Sequence, residues 1–341
     1  MSGADSTSSG YLYRVLQQDM NNDNRISAYT AVTELVSVLP KRSREVIVSR
    51  FGLKDGKKKT LEAIGNGFGI TRERVRQIEA DGLGALRKPE SMGRIAGHVE
   101  TVKAYFAEHG GLRREERLLE ELAERFGSNT PQERAAATLV MTLAGSYERR
   151  REDDDFYTLW YASSEKVSKA RRAIELLSQT FTQERRTILD NELRDRASRV
   201  SADLEDATPV AVLAYVDASK HVELNPFGEW GLAQWAEVKP RGVKDKAYLI
   251  FKRESKPLHF REVAEKINET IAKKRPAHPQ TVHNELIKDK RFVLVGRGTY
   301  ALAEWGYQPG SVREVLLWVL RENGRPMTKD ELLAEVLKRR F

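Results

Sequence analysis

The sequence contains no cysteine among its 341 residues. Without thiols the chain can form no disulfide, no thiolate-ligated zinc site and no cysteine nucleophile. It also has no apolar run near the roughly 20 residues that a membrane-spanning helix needs. Residues 1–10 lack the apolar segment of a signal peptide. We therefore expect a cytoplasmic protein without a membrane partner, in which residues 1–26 form a flexible tail.

Histidine is scarce, and its six copies are scattered. No His-Glu-x-x-His pair occurs, so zinc chemistry lacks ligands. The stretch 65–69, Gly-Asn-Gly-Phe-Gly, differs from a phosphate loop because it follows a helical pattern and has no Lys-Ser/Thr ending. The acidic triplet 153–155 could bind a cation, but a solvated turn is the commoner use of such a triplet. We expect no enzymatic activity, no cofactor and no metal, and we expect His259 to cap or pack a turn.

The net charge of +8 is concentrated in two blocks. Residues 40–88 carry 13 Lys/Arg and six Asp/Glu, and residues 244–291 carry 13 Lys/Arg and seven Asp/Glu. The rest of the chain is mildly acidic. Basic blocks favour contact with a polyanion, because neutralised phosphates release counterions. A solvated charged face would give the same composition.

Apolar residues recur at helical spacing through most of the chain. In the first basic block they predict four short helices around one small core, with Thr60 and Thr71 as N-caps and Gly52 and Gly69 as stops. The apolar positions are Leu35, Val38, Leu39, Val46, Ile47, Phe51, Leu61, Ile64, Phe68, Val75, Ile78, Leu83 and Leu86. Further helices are predicted at 98–109, 113–126, 131–145, 163–180 and 182–203, with a loop at 148–155 and a strand at 156–160 that could close an earlier module.

A weak internal repeat marks the C-terminal part. Residues 225–235 and 295–305 both have the pattern of a glycine-turn hairpin ending in Leu-Ala-x-Trp. Each is followed by an amphipathic helix, at 246–253 and 312–321, and then by a proline-led turn into another helix. Thr328 and Glu331 in the second copy have capping-box spacing.

Helix, turn, helix, helix and hairpin is the order of a winged helix, and repetition supports each assignment. The predicted fold is therefore mainly α, with tandem helix-turn-helix and winged-helix modules that have short β-hairpin wings. The predicted modules are 27–90, a helical 91–162 that could be a divergent winged helix, a divergent 163–240, a complete 241–306 and an incomplete 308–341.

One stretch within residues 28–88 resembles region 4 of the sigma-70 family of initiation factors. The resemblance is carried by Leu39-Pro-Lys-Arg-Ser-Arg-Glu-Val-Ile-Val-Ser-Arg-Phe-Gly-Leu53, Thr60-Leu-Glu-Ala-Ile-Gly65 and Gly69-Ile-Thr-Arg-Glu-Arg-Val-Arg-Gln-Ile-Glu-Ala80. In that family the module reads the −35 promoter element and docks on the flap of the RNA polymerase β subunit. The resemblance thus implies double-stranded DNA and RNA polymerase core as partners.

The second helix of such a module enters the major groove with its N-terminus first, so its first two turns read bases. Here those turns carry Arg72, Glu73, Arg76 and Gln77, whose side chains suit guanine, cytosine and adenine edges. We expect phosphate contacts from Arg74 and from the lysine loop formed by Lys57, Lys58 and Lys59. Thr60 and Thr71, at the starts of the two helices, complete the expected DNA-binding set.

Two departures from the family pattern stand out. Gly82 and Gly84 weaken the end of the second helix by roughly 1 kcal/mol each relative to Ala, and Asp81 replaces positive charge. In addition, only 26 residues precede the module. We therefore expect the chain to lack the core-binding and melting domains of a sigma factor.

Residues 241–306 resemble the HARE-type winged helix-turn-helix found in the polymerase delta subunit. Its most specific pieces are Pro257-Leu-His-Phe-Arg-Glu262 and Gly296-Arg-Gly-Thr-Tyr-Ala-Leu302. Gln280, His283, Asn284 and Lys288 are expected to face outward from its third helix, and Arg297 to lie at the hairpin tip, where it could reach a minor groove. Such a module can bind DNA or protein.

These features together predict a nucleoid-associated, DNA-binding transcription protein that is sigma-like in recognising a −35-type element. The alternative is a non-catalytic, delta-like adaptor that binds proteins of the polymerase machinery rather than DNA.

Overall fold

The computed structural model describes residues 27–271, 276–307 and 312–339, so the predicted tail at 1–26 lies outside the described residues. Two compact units are present. One is the described part of Met1–Glu184 with Asn191–Val222, and the other is Arg185–Asp190 with the described part of Glu223–Phe341. Helices dominate both units, and the strands form short antiparallel sheets. The predicted mainly α class of helix-turn-helix modules is confirmed.

The first four helices of the described ranges are those expected from the sigma-like segment: α1 (Ala28–Ser37), α2 (Lys41–Phe51), α3 (Leu61–Phe68) and α4 (Arg72–Leu86). Thr60 and Thr71 are the N-caps of α3 and α4, as predicted. Gly52 and Gly69 end α2 and α3 with left-handed φ values of 75° and 64°. At such angles a side chain would be strained, so glycine fits both stops.

Two cores, and not the single predicted one, hold these helices. A small core consists of Val46, Ile64, Val75 and Ile78 and joins α2, α3 and α4. The apolar residues of α1 and the opposite face of α2 join a larger core that continues into residues 95–160. Val38, which was predicted to be buried, follows the end of α1 and is 51% exposed. The helix-turn-helix is therefore built onto the next module.

That next module has the element order of a winged helix. A short α5 (Pro89–Met92) and a 3-10 turn lead into α6 (Ala96–Glu108), β1 (Leu112–Arg114), α7 (Glu115–Arg125), α8 (Pro131–Ala144), β2 (Glu148–Arg150) and β3 (Leu159–Tyr161). The strands form one antiparallel sheet in the order β1-β3-β2, with Arg113 and Arg149 both opposite Trp160. The predicted loop at 148–155 is therefore wrong for its first three residues.

The same order of elements recurs after residue 163, in α9 (Ser164–Glu184), α10 (Asp190–Ala202), α11 (Pro209–Ala218), β4 (Val222–Leu224) and β5 (Trp230–Leu232). The helix predicted at 182–203 begins only at Asp190. Before it, Arg185 has a left-handed φ of 49°, and Ile188 forms an isolated bridge with Trp230. Ile188 therefore comes, in chain order, where the first winged helix has β1, and it pairs with β5 as β1 pairs with β3.

A third copy is α12 (Val243–Glu254), β6 (Leu258–His259), α13 (Phe260–Thr270), α14 (Pro279–Lys288), β7 (Phe292–Gly296) and β8 (Thr299–Leu302), with sheet order β6-β8-β7. It is followed by α15 (Val312–Asn323) and α16 (Lys329–Arg339). The predicted capping box before α16 is present. Thr328 N–H donates to Glu331 Oε2 at 2.8 Å, and Glu331 N–H donates to Thr328 Oγ1 at 3.3 Å.

Within the described ranges, no helix combines the length and apolarity that crossing a membrane requires. The acidic triplet is a hydrogen-bonded turn, in which Asp153 Oδ1 accepts the N–H groups of Asp155 (3.0 Å) and Phe156 (2.8 Å). Across the described part of the chain, no three His, Asp or Glu side chains are grouped so that they could hold a metal ion.

Candidate nucleic-acid interface

The turn between α3 and α4 requires a glycine at position 65. A Cβ on Gly65 would lie 2.6 Å from the carbonyl oxygen of Ile70, which is closer than real Cβ atoms approach. The Ile70 N–H donates to the Gly65 carbonyl at 3.0 Å and closes the turn. This tight connection fixes α4 against α3 in the arrangement of a helix-turn-helix.

The face of α4 that carries the predicted base readers is exposed. Val75 is fully buried and Ile78 is 8% exposed, so these two residues anchor the opposite face in the small core. On the outer face Arg72, Glu73, Arg74, Arg76 and Gln77 are all exposed. No described element of the same compact unit covers them.

The exposed side chains of α4 bind one another. Arg76 donates to both carboxylate oxygens of Glu73, from Nη2 at 2.7 Å and from Nε at 2.9 Å, and both side chains are 58% exposed. Arg74 Nη1 donates to Gln77 Oε1 at 3.0 Å. The hydrogen bond from Arg76 holds the pKa of Glu73 below its ordinary value, so Glu73 is ionised at neutral pH. The face is a preformed set of donors and acceptors on a rigid helix.

Thr60 and Thr71 use their hydroxyl oxygens within the protein. Thr60 Oγ1 accepts from the Ala63 N–H at 3.1 Å, and Thr71 Oγ1 accepts from the Arg74 N–H at 3.2 Å. Each hydroxyl keeps its own hydrogen for donation. The two threonines therefore orient the first turns of α3 and α4, which is where a phosphate would approach.

The lysine loop (Lys57–Lys59) is exposed, and its backbone is hydrogen-bonded to residues of α2. Lys59 N–H donates to the Ser49 carbonyl at 3.0 Å, and Arg50 Nη1 donates to the Lys59 carbonyl at 3.2 Å. Desolvation by the surrounding protein lowers the pKa of Lys58, and the nearby positive charges of Arg149 and Arg50 lower it further, against an opposing effect of Glu115. This loop thus presents three cations from a fixed backbone.

In the third winged helix, Gln280, Asn284 and Lys288 are exposed on α14, and Arg297 is exposed in the turn between β7 and β8. His283, which was expected to face outward, is only half-exposed. Its ring stacks on Phe260 with 4.5 Å between the ring centres. This histidine packs α14 against α13, because an aromatic partner from α13 lies directly beside it.

The predicted role of His259 as a cap is confirmed, since its Nδ1 accepts from the Arg261 N–H at 3.3 Å at the start of α13. Its ring also packs close to Gly298 at the hairpin turn, where a Cβ would lie 2.6 Å from Nε2. The histidine therefore fixes the wing turn that carries Arg297.

The third helices of the three winged helices differ in how many of their residues are buried, which the sequence did not reveal. In α8 nine of 14 residues are buried, and in α11 six of ten are buried. In α14 only Val282 and Leu286 are buried among ten. A helix must be open along one side to enter a major groove. Of the described third helices, α14 alone meets that condition, together with α4 of the helix-turn-helix.

Comparison with known families agrees with the two modules identified from the sequence. Residues 35–88 match the family model described as sigma-70, region 4. Residues 241–305 match the HARE-HTH family model, whose description includes the helix-turn-helix domain of ASXL and restriction endonuclease proteins. Both resemblances are thereby confirmed. The matched domains are not catalytic ones.

Curated relatives match the chain over a limited stretch. The chain is 45% identical over 67 residues to RNA polymerase sigma factor SigA of a Bacillus species, a match that covers 20% of this chain and 18% of the relative. It is 39% identical over 87 residues to SigA of Listeria monocytogenes and to SigA of Listeria innocua, covering 24% of this chain and 23% of each relative. The chain thus spans less than a quarter of the length of these relatives. Its similarity to known proteins lies in one sigma-70 region 4 module and one HARE-type module, joined by helical modules that neither family model covers.

Proposed function

We propose that this protein is a DNA-binding transcription factor of the bacterial RNA polymerase machinery, in which α4 reads a −35-type promoter element. The observation that carries the proposal is the open outer face of α4, with Arg72, Glu73, Arg76 and Gln77 exposed on a helix anchored by Val75. The similarity of residues 35–88 to sigma-70 region 4 supports the same role. Arg74 and the lysine loop supply phosphate contacts that set the register.

The proposal extends to partners and location. By similarity to the SigA relatives, the module would contact RNA polymerase core, with the β-subunit flap as the docking site. A protein that binds both would be cytoplasmic and associated with the nucleoid. It would act without catalysis of its own, as a regulator or accessory factor in initiation, and its modules would meet near residues 90, 162, 240 and 306.

A second role, protein docking by the third winged helix, is favoured by a specific observation. Ile287 on α14 is 62% exposed and directly precedes Lys288, and Leu294 on β7 is 47% exposed. Exposed apolar side chains are more typical of a protein-contacting surface than of a phosphate-contacting one. In this role α4 holds the DNA and α14 holds a protein of the transcription machinery.

The test is Arg76→Ala, measured on a duplex selected by the full-length protein from a random pool and on an unselected duplex. We expect a loss of roughly tenfold to a hundredfold on the selected duplex and a much smaller loss on the unselected one. The matched control is Arg172→Ala on α9, because Arg172 forms a similar exposed ion pair with Glu175 at 2.7 Å.

Equal losses on the two duplexes would contradict base reading by Arg76. Failure of the wild-type protein to select any sequence would contradict the proposal as a whole. Capture of the isolated β flap by wild-type protein and by Arg76→Ala alike would separate the polymerase contact from the DNA contact. If neither captures the flap, the proposed polymerase contact is wrong.

A further inference from the structure

The first winged helix carries an arginine-rich strand next to the lysine loop. Successive side chains of a strand point to opposite sides, so Glu148 and Arg150 share one side of β2 while Arg149 lies on the other, and Arg151 follows directly after the strand. Glu148 and Arg150 both have partners within the protein: Tyr161 donates to Glu148 at 2.6 Å, and Arg150 pairs with Asp153. Arg149 and Arg151 are both exposed.

The first winged helix packs directly on the helix-turn-helix near the lysine loop. Gly56, just before the lysine loop, packs so closely on Pro131 at the start of α8 that a Cβ would lie 2.4 Å from the proline Cβ. Glu115 of α7 binds Arg149, whose Nη2 donates at 2.7 Å, and also accepts from the Trp160 indole at 2.9 Å. The same carboxylate attracts Lys58.

The contacts also reach α4. Arg50 of α2 pairs with Glu79 of α4 at 3.0 Å and donates to the Lys59 carbonyl. Hydrogen bonds therefore join α4 to the lysine loop through Arg50, and Lys58 of that loop lies close enough to Glu115 and Arg149 for their charges to act on it. All of these residues belong to the same compact unit.

The charges along this line are not balanced within the protein. Glu115 is a single, half-buried carboxylate that pairs with Arg149 and also attracts Lys58, so one negative charge faces two positive ones. Arg151 makes no ion pair in the described part of the chain, and neither does the side chain of Lys57 or Lys59. Cations held together on a fixed surface attract an extended polyanion, because each phosphate they neutralise releases counterions.

We infer that Arg149 and Arg151, beside the lysine loop, form a second contact with the DNA phosphate backbone, which extends the footprint of α4 onto the wing of the first winged helix. This inference rests on the proposed DNA-binding function and adds to it an element outside the sigma-like module. The wing contact carries no sequence information, since it addresses phosphates and not base edges. The third helix of the same module, α8, is buried and takes no part.

The experiment measures DNA affinity of the full-length protein as a function of salt for Arg151→Gln and for the double variant Arg149→Gln/Arg151→Gln. Each lost phosphate contact is expected to reduce the slope of log affinity against log salt by about 0.9. The slope should therefore fall by about one unit in the single variant and by up to about two in the double variant, with the same fold-loss on selected and unselected duplexes. The control Lys103→Gln removes one exposed charge from α6, where Lys103 pairs with Glu100, and should leave the slope unchanged.

The double variant could lose stability, because Arg149→Gln leaves Glu115 without its ion-pair partner. The single variant Arg151→Gln breaks no internal ion pair, so it still tests the wing contact. Hydroxyl-radical footprinting should show protection shortened at one edge in this variant. An unchanged slope and footprint would overturn the wing contact while leaving the proposed function standing. The proposed function fails separately, if the wild-type protein selects no sequence from the random pool.

Discussion

Removal of the buried carboxylate of Glu133 should loosen the helix-turn-helix from the module that supports it. Glu133 lies in the first turn of α8 and is 2% exposed. Its Oε2 accepts from the Ser27 hydroxyl at 2.8 Å, and its Oε1 accepts from the Tyr29 N–H at 3.2 Å. Ser27 in turn caps α1, since its Oγ accepts from the Thr30 N–H at 3.3 Å. A single carboxylate of α8 thus binds the N-terminus of α1.

The stability lost in Glu133→Ala can be worked out from these two hydrogen bonds. Hydrogen bonds to a charged group contribute about 1.5–3 kcal/mol each, and a negative charge near a helix N-terminus adds about 0.3–1 kcal/mol. Part of that sum is regained when water reaches the freed donors. We therefore expect Glu133→Ala to lower the free energy of unfolding by about 2–4 kcal/mol. Glu133→Gln keeps an acceptor oxygen but no charge and should lose about half as much.

Urea unfolding followed by circular dichroism measures the change. With a slope of about 3 kcal/mol/M, a loss of 3 kcal/mol lowers the midpoint by about 1 M. The control is Glu100→Ala, because Glu100 pairs with Lys103 on the exposed surface, where such pairs contribute about 0–1 kcal/mol. A midpoint for Glu133→Ala that matches the control would refute the reasoning. Coupling between Ser27→Ala and Glu133→Ala should exceed about 0.5 kcal/mol, as for residues in direct contact.

Three further predictions concern α4 and a buried histidine. Gly84→Ala should raise the free energy of unfolding by about 0.5–1 kcal/mol, because the site is helical and open. Gly82→Ala should gain less in the same urea assay, since its Cβ would lie 3.3 Å from Ile47 Cγ1. Burial and the neighbouring guanidinium of Arg113 lower the pKa of His109, so its contribution to stability should be complete above pH 6.5 and be lost as the pH falls through the lowered pKa. Urea midpoints should fall less for His109→Gln, and parallel profiles would contradict this. Glu73→Ala should strengthen binding to random DNA in fluorescence anisotropy and weaken discrimination, because the carboxylate repels phosphates; unchanged discrimination would exclude this role.

Local signals made the helix-turn-helix predictable from sequence. Thr60 and Thr71 begin helices through hydrogen bonds within four residues, and Gly69 ends one through its own left-handed backbone. Such signals do not depend on the rest of the fold. The error at Val38 has the same origin, since helical spacing continues past Ser37 although α1 does not.

Non-local packing decided what the sequence analysis missed. The strand β2 reads Glu-Arg-Arg, which lacks the apolar alternation of a strand, and it exists because β3 pairs with it from nine residues away. The burial of α8 could have been predicted from its sequence. Its run Ala135-Ala-Ala-Thr-Leu-Val-Met141 is nearly apolar all round, which is typical of a helix covered on every side. The residue to which Glu133 binds lies more than 100 positions away, and no local pattern points to it.

The three winged helices share one order of elements, but they differ in whether the third helix is buried or exposed. In the first winged helix, α8 packs against α1 and α2, so the helix that could have entered a groove instead holds a helix-turn-helix. In the second, α11 is also buried against neighbouring protein, and its Tyr215 hydroxyl donates to the Gly110 carbonyl at 2.9 Å. A helix cannot lie in a major groove while its side chains form a protein core, so these two copies can reach DNA only through their wings or through the modules they position. That constraint is why the strand with Arg149 matters. This strand is charged and exposed, it belongs to the same compact unit as α4, and Arg149 acts electrostatically on Lys58 of the lysine loop.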